Sequence, residues 1–163
     1  MITICIIILG KFLLKFIYFI FKLFPSQNKI VFLSRQSDTM SIDYSKIIER
    51  LIELSPDIKI VTLLKRQEKD TENFIASGFE NAIYLLKQMW ALARARVAVV
   101  DGYCIPVSIL KHNRTLTIIQ IWHAIGAFKK FGLQTLPLMT EKENRVAKAL
   151  KMHDGYSYVI APS

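Results

Sequence analysis

Apolar residues fill one long block at the start of the chain and then recur in short runs. From Ile2 to Phe24 the sequence reads ITICIIILGKFLLKFIYFIFKLF, long enough as a helix to cross a bilayer, which takes about 20 apolar residues. Lys11, Lys15 and Lys22 interrupt it. At about 100° per residue, Lys15 lies about 40° and Lys22 about 20° from Lys11, so the three project from one stripe. Ile, Leu and Phe, with Phe12, Phe16 and Phe19 among them, cover the rest. A lysine near the bilayer centre costs roughly 2.5–3.5 kcal/mol. A helix lying in the interface avoids that cost by turning its lysines to anionic headgroups and its aromatic face to the acyl boundary. We read residues 1–25 as such a membrane-associated helix, with a spanning helix and a buried globular helix as the alternatives. The lysines inside the run, and the lack of a small-residue cleavage site after it, argue against a signal peptide.

Pro25 to Asn28 breaks the pattern, and strands then alternate with helices. Lys29 to Ser34 (KIVFLS), Asp57 to Leu64 (DIKIVTLL), Val97 to Val100, Thr115 to Ile121 and Tyr156 to Ala161 read as short, β-branched strands of the kind buried in parallel sheets. Ser41 is placed to cap a helix whose apolar face holds Ile47, Ile48, Leu51, Ile52 and Leu54 until Pro56. Thr71 to Ser77 reads as a weak helix closed by Gly78, Asn81 to Leu86 fits strand or helix, and Lys87 to Arg96 favours helix. Glu141 to Met152 carries acid early and Lys148 and Lys151 late, matching the helix dipole. The alternation predicts an α/β fold, a Rossmann-like parallel sheet flanked by helices, over residues 29–163.

Composition sharpens this picture. The chain has 163 residues, 52% of them apolar, with 22 Lys plus Arg against 13 Asp plus Glu and a net charge of +9. So apolar a chain is not a disordered basic tail, and its apolar share exceeds the usual 45–50% or so of a soluble domain because of the N-terminal block. The basic residues are dispersed without base-stacking aromatics, which argues against nucleic acid as a partner. Cys5 and Cys104 have neither a disulfide framework nor zinc spacing and read as small apolar residues. No metal site or cofactor is implied.

In a doubly wound sheet, ligands bind beyond the carboxyl ends of the strands. That rule selects Ser34 and Arg35, then Asp101 to Cys104, then Trp122 and His123. Loop and turn roles remain open for Ser34, Arg35 and the Asp101-Gly102 pair, and a packed role for His123. The setting of His123 points toward chemistry: a strand end, Trp122 before it, Gly126 after it, and the pair Lys129-Lys130. Histidine can take a proton from a hydroxyl at neutral pH, glycine lets a backbone approach a phosphate, and lysines supply it with positive charge. His112 and His153 lie in polar turns and read as surface residues.

The segment QIWHAIGAFKKFG, Gln120 to Gly132, resembles the Trp-His-Gly region of the CDP-glycerol glycerophosphotransferases, the peripheral membrane enzymes that make teichoic acids in Gram-positive bacteria. VFLSRQSDT (Val31 to Thr39), AVVDGY (Ala98 to Tyr103) and YSYVIAPS at the end agree in order. Glycine, which follows the family's histidine directly, comes here at Gly126 after Ala124 and Ile125. The resemblance implies a GT-B-like pair of Rossmann-like domains, of which residues 29–163 are the N-terminal, acceptor-side one. It implies that His123 is the base that deprotonates an acceptor hydroxyl, which attacks the β-phosphate of CDP-glycerol and expels CMP. Ser34, Arg35, Asp101, Trp122, Gly126, Lys129 and Lys130 would bind acceptor and phosphate.

The partners so implied are CDP-glycerol, held by a second domain outside this chain, a lipid-linked teichoic acid primer, and the anionic cytoplasmic face of the cell membrane. A chain of this extent is expected to be inactive alone, as a truncated product, a fragment, or half of a two-chain enzyme that needs a complementing C-terminal chain; homo-oligomers are also open. Two other readings stand beside it: a fragment of a GT-B nucleotide-sugar glycosyltransferase, since fold alone does not decide chemistry, and a non-catalytic membrane-associated interaction protein.

Overall fold

The computed structural model of the chain describes residues 2–66, 74–121, 141–152 and 154–160. Its elements are α1 (Ile2–Phe21), β1 (Lys29–Ser34), α2 (Ile42–Leu54), β2 (Lys59–Leu64), α3 (Phe74–Ala93), β3 (Val97–Val100), α4 (Ile105–Ile109), β4 (Thr117–Ile121), α5 (Glu141–Ala149) and β5 (Tyr158–Ile160). The five strands form one sheet in the order β2-β1-β3-β4-β5, and every neighbouring pair is parallel. Alternate strand residues face opposite sides, as the pleat requires. Val31, Leu33, Ala98, Val100 and Ile118 pack with Met89 and Leu92 of α3, Val107 of α4 and Tyr18 of α1. Ile30, Phe32, Val99 and Ile121 pack with Tyr44, Ile47, Ile48 and Leu51 of α2. This is the α/β sheet flanked by helices that the alternation predicts.

Local chemistry sets several boundaries. The Ser41 hydroxyl accepts a hydrogen bond from the Tyr44 amide at 3.2 Å and caps α2. The segment after β2 differs from expectation. A single helix, α3, runs through Gly78 and the ambiguous Asn81 to Leu86 stretch. Glycine inside a helix costs about 1 kcal/mol, whereas Leu85, Leu86, Met89, Leu92 and Ala93 all join the core from this helix, and each buried aliphatic side chain contributes about 1.5–3 kcal/mol. Burial therefore outweighs the local breaker.

The first helix is part of this core. Tyr18, on the lysine stripe of α1, is 1% exposed, and Leu14, Ile17 and Phe21 pack around it. Phe21 and Phe24 meet the Trp90 ring edge-on at 5.2 and 5.0 Å. Lys11 Nζ donates to the Ala149 carbonyl at 2.6 Å and Lys22 Nζ to the Lys111 carbonyl at 3.0 Å. Two of the three stripe lysines thus reach helix and loop ends of the sheet domain, while Lys15 stays exposed. Burial, then the charges of Lys15 and Lys151, holds the Lys11 ammonium below its usual range. The opposite arc of the helix, roughly 140° wide by helical geometry, carries Ile8, Leu9, Phe12, Leu13, Phe16, Phe19 and Ile20, all exposed, and Leu23 just past the helix is exposed as well. Among the described residues no helix is long and apolar enough to cross a membrane.

His112 is corrected from surface to interior. The Tyr18 hydroxyl lies 2.7 Å from His112 Nδ1, and His112 Nε2 lies 2.9 Å from the Val107 carbonyl. A carbonyl only accepts, so Nε2 carries the proton and Nδ1 accepts from Tyr18. Burial pushes the His112 pKa down; the Val107 carbonyl opposes this and the Lys22 charge adds to it. Because the folded pKa lies below the unfolded value of 6.5, the unfolded chain binds more protons between the two. Stability is then full above that value and declines as pH falls below it. Thermal unfolding is expected to show a lower Tm at pH 5 than at pH 7, with the difference reduced in His112→Gln. Tyr18→Phe, which leaves Nδ1 unpaired, is expected to cost about 1–3 kcal/mol. Equal Tm values at both pH values would show that the buried ring does not govern the acid response. His153 lies outside the described residues.

Candidate functional site

The strand order contains one reversal. The chain leaves β1 for β2 on one side and returns to β3 on the other, which makes the carboxyl ends of β1 and β3 a topological switch point, where open α/β sheets leave a crevice. Register places Leu33 beside Val100, so Ser34 and Asp101, the next residue of each, emerge together. Both are buried.

Each side of the crevice is held by polar contacts. The Ser34 hydroxyl accepts from the Gln36 amide at 3.1 Å, and the Ser34 carbonyl accepts from the Lys65 amide at 3.2 Å. Arg35 Nη1 donates to the Tyr103 carbonyl at 3.1 Å, and its guanidinium stands 5.7 Å from the centre of the Tyr103 ring. Asp38 accepts from the Arg66 amide at 2.9 Å. Gly102 faces Gln36: a Cβ there would come 3.2 Å from Gln36 Nε2, so a larger residue would have to displace the end of that side chain. Below them the Tyr44 hydroxyl donates to the Leu33 carbonyl at 2.7 Å, which braces β1 at its end. Tyr103 reaches away, donating to the Leu150 carbonyl at 3.1 Å, next to the Ala149 carbonyl that holds Lys11 of α1.

The electrostatics are mixed. Arg35, Lys65 and Arg66 bring positive charge to the ends of β1 and β2, and Asp38 and Asp101 bring negative charge. Burial pushes the Tyr103 hydroxyl and the Cys104 thiol up to about 12, so neither ionises near neutrality. Cys104 is a free, buried thiol and serves as a small apolar residue. No cluster of metal-ligating side chains occurs among the described residues.

Three of the candidates read from sequence, Ser34, Arg35 and Asp101, therefore converge. Trp122, His123, Gly126, Lys129 and Lys130 lie outside the described residues. The strand that leads to them does not: Val100 pairs with Gln120, so β4 ends at Ile121 on the same edge, beside Asp101. Sequence reasoning passed over Gln36, Lys65 and Arg66. The rule that selected the ends of the other strands applies equally to β2 and would have picked out Lys65 and Arg66.

Residues 15–163 match the family described as CDP-Glycerol:Poly(glycerophosphate) glycerophosphotransferase. The chain is similar to the teichoic acid ribitol-phosphate primase of Bacillus spizizenii, 29% identical over 139 residues, covering 85% of this chain and 34% of that protein. It is similar to the teichoic acid glycerol-phosphate primase of Bacillus subtilis, 30% identical over 84 residues, covering 52% of this chain and 22% of that protein. It is also similar to the teichoic acid poly(ribitol-phosphate) polymerase of Bacillus spizizenii, 26% identical over 156 residues, covering 95% of this chain and 23% of that protein. The chain thus spans about a third, or less, of the length of these relatives.

Proposed function

Because the chain belongs to the family of CDP-glycerol:poly(glycerophosphate) glycerophosphotransferases, we propose that it forms the acceptor-side half of a teichoic acid polyol-phosphate transferase working at the cytoplasmic membrane surface. The observation that carries this reading is the crevice at the switch point, where Ser34, Arg35 and Asp101 meet beside the end of β4. An acceptor hydroxyl sits there, and His123 takes its proton. The hydroxyl oxygen then attacks the β-phosphate of CDP-glycerol, or of its ribitol counterpart, the phosphoanhydride bond breaks, and CMP leaves. Lys129 and Lys130 neutralise the phosphate, and Trp122 and Gly126 contribute to binding acceptor and phosphate. The donor is held by a second Rossmann-like domain of a GT-B-like whole, corresponding to the length that the relatives carry beyond the match.

The membrane side of the reading rests on α1. Its exposed arc has no charged residue among seven large apolar ones, a patch of the kind that marks an interaction surface. Lys11 ties the helix to Ala149, and the next carbonyl, of Leu150, accepts from Tyr103 at the crevice. A bilayer that receives this arc would lie beside the crevice and present a lipid-linked primer to it.

The test is a fusion of this chain to the C-terminal portion of the Bacillus spizizenii ribitol-phosphate primase that follows the matched stretch. On vesicles carrying a lipid-linked acceptor, the fusion is expected to release CMP from CDP-glycerol or CDP-ribitol only when the acceptor is present, and the chain alone to release none. A folded, vesicle-bound fusion that releases no CMP from either donor would overturn the reading.

A further inference from the structure

The two edges of the sheet differ. At one, β2 turns Lys59 and Thr62 to solvent, and its apolar residues are partly covered. At the other, β5 consists of Tyr158, Val159 and Ile160, which are 64%, 60% and 57% exposed. Register sets their sides: Tyr158 and Ile160 stand with Ile119 and Ile121 on the α2 side of the sheet, and Val159 stands with Gln120 on the α3 side. No residue of β5 joins either core cluster.

The backbone is open there too. The Ser157 amide donates to the Ile118 carbonyl at 2.8 Å, and successive amides of a strand turn to opposite sides, so those of Tyr158 and Ile160 point away from β4. Strands of parallel sheets are covered on both faces, and proteins blunt a free edge with charge, lysine above all. The β2 edge has that protection in Lys59. The β5 edge has none: three apolar side chains beside an unpaired backbone are the make-up of an interior strand, and such an edge is a template for strand addition.

Resting on the reading of this chain as one half of a transferase, we propose that β5 is the docking edge for the other half, which adds an uncharged strand along β5 and lays an apolar face on the α2 side over Tyr158 and Ile160. Length decides between this occupant and a second copy. A second copy would bring a strand of three residues, about 10 Å of edge, whereas a stable interface buries roughly 1,200–2,000 Å². The remainder of a transferase is large: 34% of the ribitol-phosphate primase lies within the match, and the rest is available to cover the edge. Ile160 is level with Ile121, the last residue of β4. The docked half therefore stands one strand away from the end of β4, on the edge of the sheet that holds the crevice.

The test follows amide hydrogen exchange in the full chain and in the primase fusion, the latter carrying a protease site at the junction. The Tyr158 and Ile160 amides are expected to exchange fast in the chain alone and about 100-fold more slowly in the fusion, and the two halves to co-elute on gel filtration after the junction is cut. Val159→Lys combined with Ile160→Lys gives β5 the lysines of a free edge. It should restore fast exchange at Tyr158 in the fusion and separate the cut halves, with the Tm of the chain alone unchanged because both side chains are exposed. If the fusion releases CMP while Tyr158 and Ile160 exchange as fast as in the chain alone, the docking edge is wrong and the transferase reading stands. If both amides are protected and no CMP is released, the transferase reading fails and the docking edge stands. A chain that is dimeric by itself with both amides protected would make a second copy the occupant and overturn the proposal.

Discussion

Replacing Phe12 and Phe16 together with aspartate is expected to release the chain from phosphatidylglycerol vesicles, lowering its partition coefficient about 10²–10⁴-fold. Both side chains are exposed on the unpartnered arc of α1, Phe12 at 70%. Burying a phenylalanine in an apolar phase contributes about 1.5–3 kcal/mol, so two lost anchors account for the range, and two carboxylates facing anionic lipid add to it. The fold should survive, because neither ring is in the core, and an unchanged Tm would confirm it. Salt should matter less than a lysine-faced helix implies. Lys11 and Lys22 are occupied with the carbonyls of Ala149 and Lys111, which leaves Lys15 as the stripe residue exposed to headgroups. An alkaline carbonate wash should strip the protein from vesicles, as for a helix that lies in the interface. Sedimentation of the double variant with vesicles at the wild-type level would show that this arc is not the membrane face. Deleting α1 is a poorer experiment, since it would also remove Tyr18 from the core.

His123→Ala in the primase fusion is expected to lower the rate of CMP release about 10²–10⁴-fold, the usual contribution of a positioned general base. A base acts on the chemical step, so kcat should fall with little change in the KM for the donor. The decline in rate toward acid pH should flatten, because the group whose protonation causes it is gone. The conservative control is Arg35→Gln, which removes a cation from the crevice and should raise the KM for the acceptor more than it lowers kcat. If His123→Ala retained the wild-type rate and pH profile, the proton would have another acceptor, and the mechanism would need a different base.

The positions of these residues divide into what periodicity can reveal and what it cannot. The runs KIVFLS and VAVV became β1 and β3 at the expected bounds, because short β-branched runs between turn residues have few alternatives. The Ser41 cap likewise depends on neighbours within one turn. Helix α3 was fragmented in the sequence reading because its cohesion comes from contacts with strands that are distant along the chain.

The functional edge was partly legible for the same reason. Ser34, Arg35 and Asp101 follow strands, and a rule about strand ends finds them. The contact of Arg35 with Tyr103 joins the ends of two different strands, and only the tertiary structure brings the two together.

The lysine stripe shows the division most directly. The sequence alone determined that Lys11, Lys15 and Lys22 share one side of a helix, since that follows from the geometry of the backbone. It did not determine what that side faces, because headgroup phosphates and protein carbonyls attract an ammonium by the same electrostatics. The tertiary structure decided it: α5 and the loop after α4 supply free carbonyls at the right height, and Tyr18 on the same stripe finds His112. With Lys11 and Lys22 taken up by the protein, the apolar arc and Lys15 are the parts of α1 left to the solvent.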